Sequence, residues 1–164
     1  MNIYQQFRKE HGNLSREEVE KATDGKLSVR RLEKIETNQA LPHPEDIIEM
    51  ARVYKMPELN NYYCTNECAI GKRYIPSVKV GNLSQIVLQM LNTLEDLDEQ
   101  KRRLVQITVD ETISDDEMQD FAKIKKMIEQ ISMEAQALQV WVEQQDNEGK
   151  INKKKLDQLE EERK

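Results

Sequence analysis

Three long cations, Arg30, Arg31 and Lys34, fall within five residues of one another. On a helix, Arg30 and Lys34 are four apart and share a face. An outward row of this kind suits the major groove of DNA. Arginine can bond guanine O6 and N7 together, and either cation can neutralise a phosphate. Val29 beside them offers an apolar contact to a thymine methyl. Ser28 opens the row, and Arg16 and Lys26, outside it, are expected to hold phosphates. The plain alternative is a solvated charged face. The surrounding architecture decides between the two.

Other candidate chemistry is sparse. Cys64 and Cys68 are four apart and share one helix face, but a zinc site needs four ligands. The two histidines, His11 and His43, are not spaced as a ligand pair. Both thiols are therefore expected to be small core or boundary residues, with no metal. The acidic run Asp110 to Glu117 lacks the glycine and alternating ligands of a calcium loop, and reads as helix-start chemistry. Phosphate-binding, dinucleotide, metalloprotease and nucleophile-elbow motifs are absent, and five glycines leave little to cradle a phosphate. No catalytic residue, no cofactor and no enzyme activity are expected.

Two short helices must present the cations. Ser15 and Glu18 stand at capping-box spacing, and Leu14 and Val19 at hydrophobic-staple spacing, so a helix starts at Ser15. Asp24-Gly25 is a turn dipeptide. Ser28 then caps a second helix, with Leu27 and Leu32 at staple spacing. Leu32 and Ile35 face inward on it while Arg30, Arg31 and Lys34 point elsewhere. A first helix spans 3–11, with Ile3, Tyr4 and Phe7 inward and Gly12 as its C-cap. Pro44 opens a fourth helix, where its missing N–H costs nothing, with Ile47, Ile48, Ala51 and Tyr54 as the buried stripe. Pro57 opens a fifth through Tyr63.

Residues 3 to 63 resemble a lambda-repressor-like helix-turn-helix domain of the Xre transcriptional regulator family. The resemblance rests on Phe7-Arg8-Lys9-Glu10-His11-Gly12, then Leu14-Ser15-Arg16-Glu17-Glu18-Val19, then Ser28-Val29-Arg30-Arg31-Leu32-Glu33-Lys34-Ile35-Glu36, then Pro42 and Pro44. It implies a five-helix DNA-binding domain and a structural ion pair between Arg8 and Glu36. Four positions depart from the family pattern. Arg16 replaces a glutamine. Glu20 stands where a small residue is usual and must turn outward or find a partner. The turn from Thr23 to Leu27 is about two residues longer. Thr37-Asn38 replaces Asn-Gly, and Asn38 can still supply a left-handed residue.

The rest of the chain reads as a connector over 64–81, a helical hairpin over 82–146 and a tail over 147–164 that forms a short helix from Asn152. In the first hairpin helix Leu83, Val87, Met90, Leu94, Leu97, Leu104 and Thr108 follow a 3–4 repeat, widened by Ile86, Leu91 and Val105. The second starts at a capping box of Ser114 and Glu117 with a staple of Ile113 and Met118. Its stripe is Phe121, Ile124, Ile128, Ile131, Ala135, Leu138 and Val142. A short loop makes the two antiparallel neighbours. Met133, Ala137, Val140 and Trp141 lie off that stripe and are expected to pack against a second copy. Such a homodimer through the C-terminal hairpin would supply the two-fold symmetry with which helix-turn-helix proteins read half-sites.

The fold class is thus all-α: an N-terminal helix-turn-helix domain, then a long antiparallel helical hairpin. Charged residues make up 34% of the chain and aromatics 5%, which suits helices over sheet. Residues 1–76 hold 12 Lys/Arg and 12 Asp/Glu, and the remainder 13 and 19, so the net −6 lies in the second part. A broad basic footprint is missing, and the positive charge is local. Without a signal-like N-terminus or a membrane-length apolar run, the expected setting is the cytoplasm. The expected function is a dimeric, sequence-specific DNA-binding transcriptional regulator that reads the major groove of double-stranded DNA with Ser28–Glu36. Its rival is a protein-interaction or antitoxin-like module that turns the same fold toward a protein partner.

Overall fold

A computed structural model describes residues 2–10, 13–109 and 112–162, all helix, turn and loop with no strand. The expectations for His11, Gly12, Asp110 and Glu111 lie outside the described residues. Helices run in the order α1 (Ile3–Glu10), α2 (Arg16–Ala22), α3 (Val29–Glu36), α4 (Pro44–Tyr54), α5 (Glu58–Asn66), α6 (Gly71–Tyr74), α7 (Leu83–Ile107), α8 (Met118–Asn147) and α9 (Lys153–Glu161). The chain divides into two compact units. One comprises Met1–Ile75 with Val142–Lys164, the other Pro76–Trp141.

In the first unit α1 to α5 enclose one core. Tyr4, Val19, Leu27, Leu32, Ile35, Ile47, Met50, Tyr54 and Leu59 are each at most 3% exposed. Burying such a side chain contributes roughly 1.5–3 kcal/mol, and one comes from nearly every element, so the core welds the helices together. Helix α2 starts on a complete capping box. The Ser15 N–H donates to Glu18 Oε2 at 2.7 Å and the Glu18 N–H donates to Ser15 Oγ at 3.1 Å. The α2–α3 turn uses two left-handed residues, Asp24 (φ 51) and Gly25 (φ 78). Buried Thr23 clasps it, donating to Val19 O at 3.0 Å and accepting from the Leu27 N–H at 3.2 Å. Asn38 takes the left-handed conformation (φ 59) after α3.

Helix α4 differs from its expected stripe. Met50 is buried, whereas Ile48 is 59% exposed. Ile47, Ala51 and Tyr54 fix the inward direction; Met50 lies three residues from Ile47 and four from Tyr54, while Ile48 is rotated about 100° away. The segment expected to be an open connector is partly helical. Helix α5 continues to Asn66, and α6 follows at Gly71. Gly71 permits this because a Cβ there would lie 2.1 Å from the Cys64 carbonyl oxygen.

In the second unit the hairpin is antiparallel: Arg103 pairs with Asp120 at 2.7 Å and Thr93 with Glu134 at 2.9 Å. Its core register departs from the sequence reading. On α7 the buried residues are Ile86 and Ile107, while Leu83, Val87, Leu91, Leu94 and Val105 are exposed. On α8 Ile124, Ala137 and Val140 are buried, but Ile128 is 50% exposed and Ala135 faces solvent. Met133 and Trp141 are half-buried. Much of the stripe reserved for a second copy is therefore already covered. The apolar surface left open lies mostly on α7. Both hairpin helices are apolar over more than one face, so periodicity alone does not choose which face turns inward.

Candidate nucleic-acid interface

Helix α3 is held from both ends and from beneath. At its start Ser28 Oγ accepts from the Arg31 N–H at 3.2 Å. Glu20 reaches across from α2, and its Oε1 accepts from the Val29 N–H at 3.3 Å. The acidic residue in the usual small-residue position thus found a partner at the positive end of α3. At the far end Asn2 Nδ2 donates to the Ile35 carbonyl at 2.7 Å and to Asn38 Oδ1 at 3.0 Å. Beneath lies Glu36, whose side chain has no exposed surface. Arg8 grips it with two bonds, Nε to Oε1 at 2.6 Å and Nη2 to Oε2 at 2.8 Å. The hydrogen bonds that Arg8 donates to Glu36, with the charge of the carboxylate, hold its guanidinium above its ordinary pKa. The expected ion pair is present in bidentate form.

Arg16 joins this cluster. Its Nε donates to Glu36 Oε2 at 3.0 Å, and Nη1 lies 3.7 Å from Glu33. The arginine in place of the family's glutamine is thus oriented by α3 itself. Arg31 is occupied too. Its Nη2 donates to Asp46 Oδ2 at 2.6 Å and to the Leu41 carbonyl at 2.9 Å, and Nε reaches Asp46 at 3.1 Å. Asp46 Oδ2 also accepts from the His43 N–H at 2.8 Å, so one carboxylate ties α3 to the start of α4. Lys26 contacts Glu49 at 2.7 Å but keeps 68% of its side chain exposed. Glu49, bonded by Lys26 and then by Arg52, is held below the usual carboxylate range.

The two cations left on α3 are Arg30 and Lys34. Both are exposed, and among the described residues neither side chain has a hydrogen-bond or ion-pair partner. They stand one turn apart on one face, with half-buried Val29 at its N-terminal edge. Glu20 found the partner that the sequence reading required of it, the Val29 N–H. That reading did not foresee the acceptors Asp46 and Glu49, which pair with Arg31 and Lys26. Asp46 was legible only as a helix-start acid, because its second role depends on the packing of α3 against α4.

Cys64 and Cys68 are half-buried free thiols. Burial, with Cys68 nearby, pushes the Cys64 thiol upward, away from a reactive thiolate. Cys68 Sγ accepts from the Gly71 N–H at 3.4 Å, a local cap. Among the described residues no group of three or more His, Cys, Asp or Glu is placed to hold a metal ion, and no helix is long and apolar enough to cross a membrane.

Residues 5–59 match the helix-turn-helix family model. No curated protein and no solved structure matches the chain.

Proposed function

With a helix-turn-helix domain over 5–59 as premise, we propose that the protein is a sequence-specific transcriptional regulator that binds double-stranded DNA as a dimer. Helix α3 enters the major groove, where Arg30 contacts guanine and Lys34 the adjacent base or phosphate. Val29 meets a thymine methyl, and Ser28 sits where the helix start meets the backbone. Arg16 and Lys26 hold phosphates from the flanks, Arg16 while still tethered to Glu36. Arg31 braces α3 against α4 and contributes its remaining nitrogen to the phosphates. The observation that carries this reading is the contrast on one helix: Arg31 is paired internally, whereas Arg30 and Lys34 are free on the outward face.

The experiment is selection of binding sites from a random duplex pool, followed by affinity measurement with Arg30→Ala and Lys34→Ala. A palindromic winner with half-sites about 10 base pairs apart is expected. Loss of Arg30 is expected to cost about 1–3 kcal/mol and relax one base position, whereas loss of Lys34 weakens all sequences more evenly. Unchanged affinity in both variants overturns the reading. The balanced charge of residues 1–76 favours the rival, in which the Arg30 face docks on an acidic protein and no sequence is enriched.

A further inference from the structure

Helix α7 turns one face inward with Ile86 and Ile107, and leaves the other uncovered. On that outer face Leu88, Leu91 and Val105 are 61%, 58% and 59% exposed. Helical geometry sets Leu91, Glu95, Asp98, Arg102 and Val105 within about 40° of one line along the axis. The charges along this line are segregated. Glu95 and Asp98 come first and Arg102 follows, with Lys101 to one side, all exposed. Read from one end, the face is apolar, acidic, basic, apolar.

We propose that this face pairs with the same face of a second copy, antiparallel, with the two-fold axis near Asp98. In that register Glu95 lies beside the partner's Arg102, and Leu91 beside the partner's Val105. Both contacts occur twice, as a closed two-fold interface requires. A parallel, in-register pairing sets Glu95 against its own copy and Arg102 against its own, which like-charge repulsion opposes. An antiparallel slip that brings Leu88 to Val105 sets Glu95 against Asp98 twice, whereas the proposed register sets only Asp98 against its own copy, once and at the exposed axis, so the two Glu95–Arg102 pairs favour it. With 25 residues, α7 offers a seam about 37 Å long. The proposal deepens the dimeric DNA reading and rests on it for its biological use, but the interface itself is tested without DNA.

Sedimentation of the full-length chain measures the assembly, with circular dichroism confirming that each variant is folded. Wild type is expected to be a dimer at micromolar concentration and Leu91→Lys a monomer. Glu95→Lys and Arg102→Glu are each expected to raise the dimer Kd roughly tenfold or more. Glu95→Lys/Arg102→Glu in one chain restores the dimer, and an equimolar mixture of the two single variants forms a heterodimer. A monomeric wild type, or a double variant no better than the singles, overturns the proposal. If wild type is monomeric yet enriches a sequence through Arg30, the interface fails and the DNA reading stands. If the charge swap rescues dimerisation but no sequence is enriched, the interface stands and the DNA reading fails.

Discussion

Glu36 is a fully covered carboxylate between two guanidinium groups, and its position on α3 makes that helix dependent on α1 and α2. Removing one partner of a buried pair costs about 3–5 kcal/mol because the remaining charge stays desolvated. Arg8→Ala is therefore expected to lower unfolding stability by that order, read from a urea titration, before any effect on DNA appears. Arg30→Ala is expected to leave the same titration unchanged within about 0.5 kcal/mol, as an exposed residue without partners should. Arg31→Ala falls between, since it loosens α3 from Asp46. Acid adds a second test. Glu18, hydrogen-bonded within its capping box, and Glu49, bonded by Lys26 and Arg52, both titrate below the ordinary carboxylate range. Their stabilisation is complete above the unfolded value of about 4.3 and is lost as pH falls through the lower folded values. The urea midpoint is thus expected to drop below about pH 4, less steeply in Glu49→Gln. At this scale the sequence was informative where partners are three residues apart or fixed by a known motif, as in Ser15–Glu18 and Arg8–Glu36. It was silent where the partner is fixed by packing, as in Arg31–Asp46 fifteen residues away.

Among the elements, α5 and α6 meet through a contact only glycine permits. Gly71→Ala would drive a methyl into the Cys64 carbonyl at 2.1 Å, which backbone must yield to accommodate. We expect a loss of about 2 kcal/mol or more and altered amide exchange in residues 64–75. The hairpin holds a different tension. Glu134 is 4% exposed; its Oε1 accepts from Thr93 and Gln130, but its Oε2 is buried without a partner among the described residues. A lone buried acceptor costs about 1–3 kcal/mol. Glu134→Gln keeps the Thr93 bond and removes the charge, so thermal unfolding is expected to hold steady or rise. A fall in Tm would mean that the charge itself is used. Helix starts at Ser15 and Ser28 were legible because capping is a local affair of four residues, whereas the start expected at Ser114 falls at Met118, after a turn over 115–117. The inward face of α7 was not. Its leucines and valines surround the helix, and the buried line through Ile86 and Ile107 is chosen by what α8 offers opposite.

For the whole molecule, the two units divide labour between reading and pairing if both proposals hold. A two-fold protein gains from a second half-site only while its dimer is intact. Leu91→Lys is therefore expected to keep the affinity for an isolated half-site while abolishing the preference for a paired one, measured on two duplexes that differ only in the second half. The helix-turn-helix order was readable from residues 5–59 without coordinates, because its signals are caps, turns and glycine-like positions in fixed succession. In the second unit the Ser114–Glu117 contact marks only the approach to one helix, and nothing in the sequence marks which face of α7 turns inward. Most cations near the reading face are matched by neighbouring acids, through Asp46, Glu36, Glu33 and Glu49. Random DNA is held almost wholly by phosphate neutralisation, so a regulator whose flanking cations are already paired would hold the wrong sequence less firmly than one whose cations are free. It would travel by repeated short visits through solution, with little sliding, and the time to reach its site would depend only weakly on the length of flanking DNA.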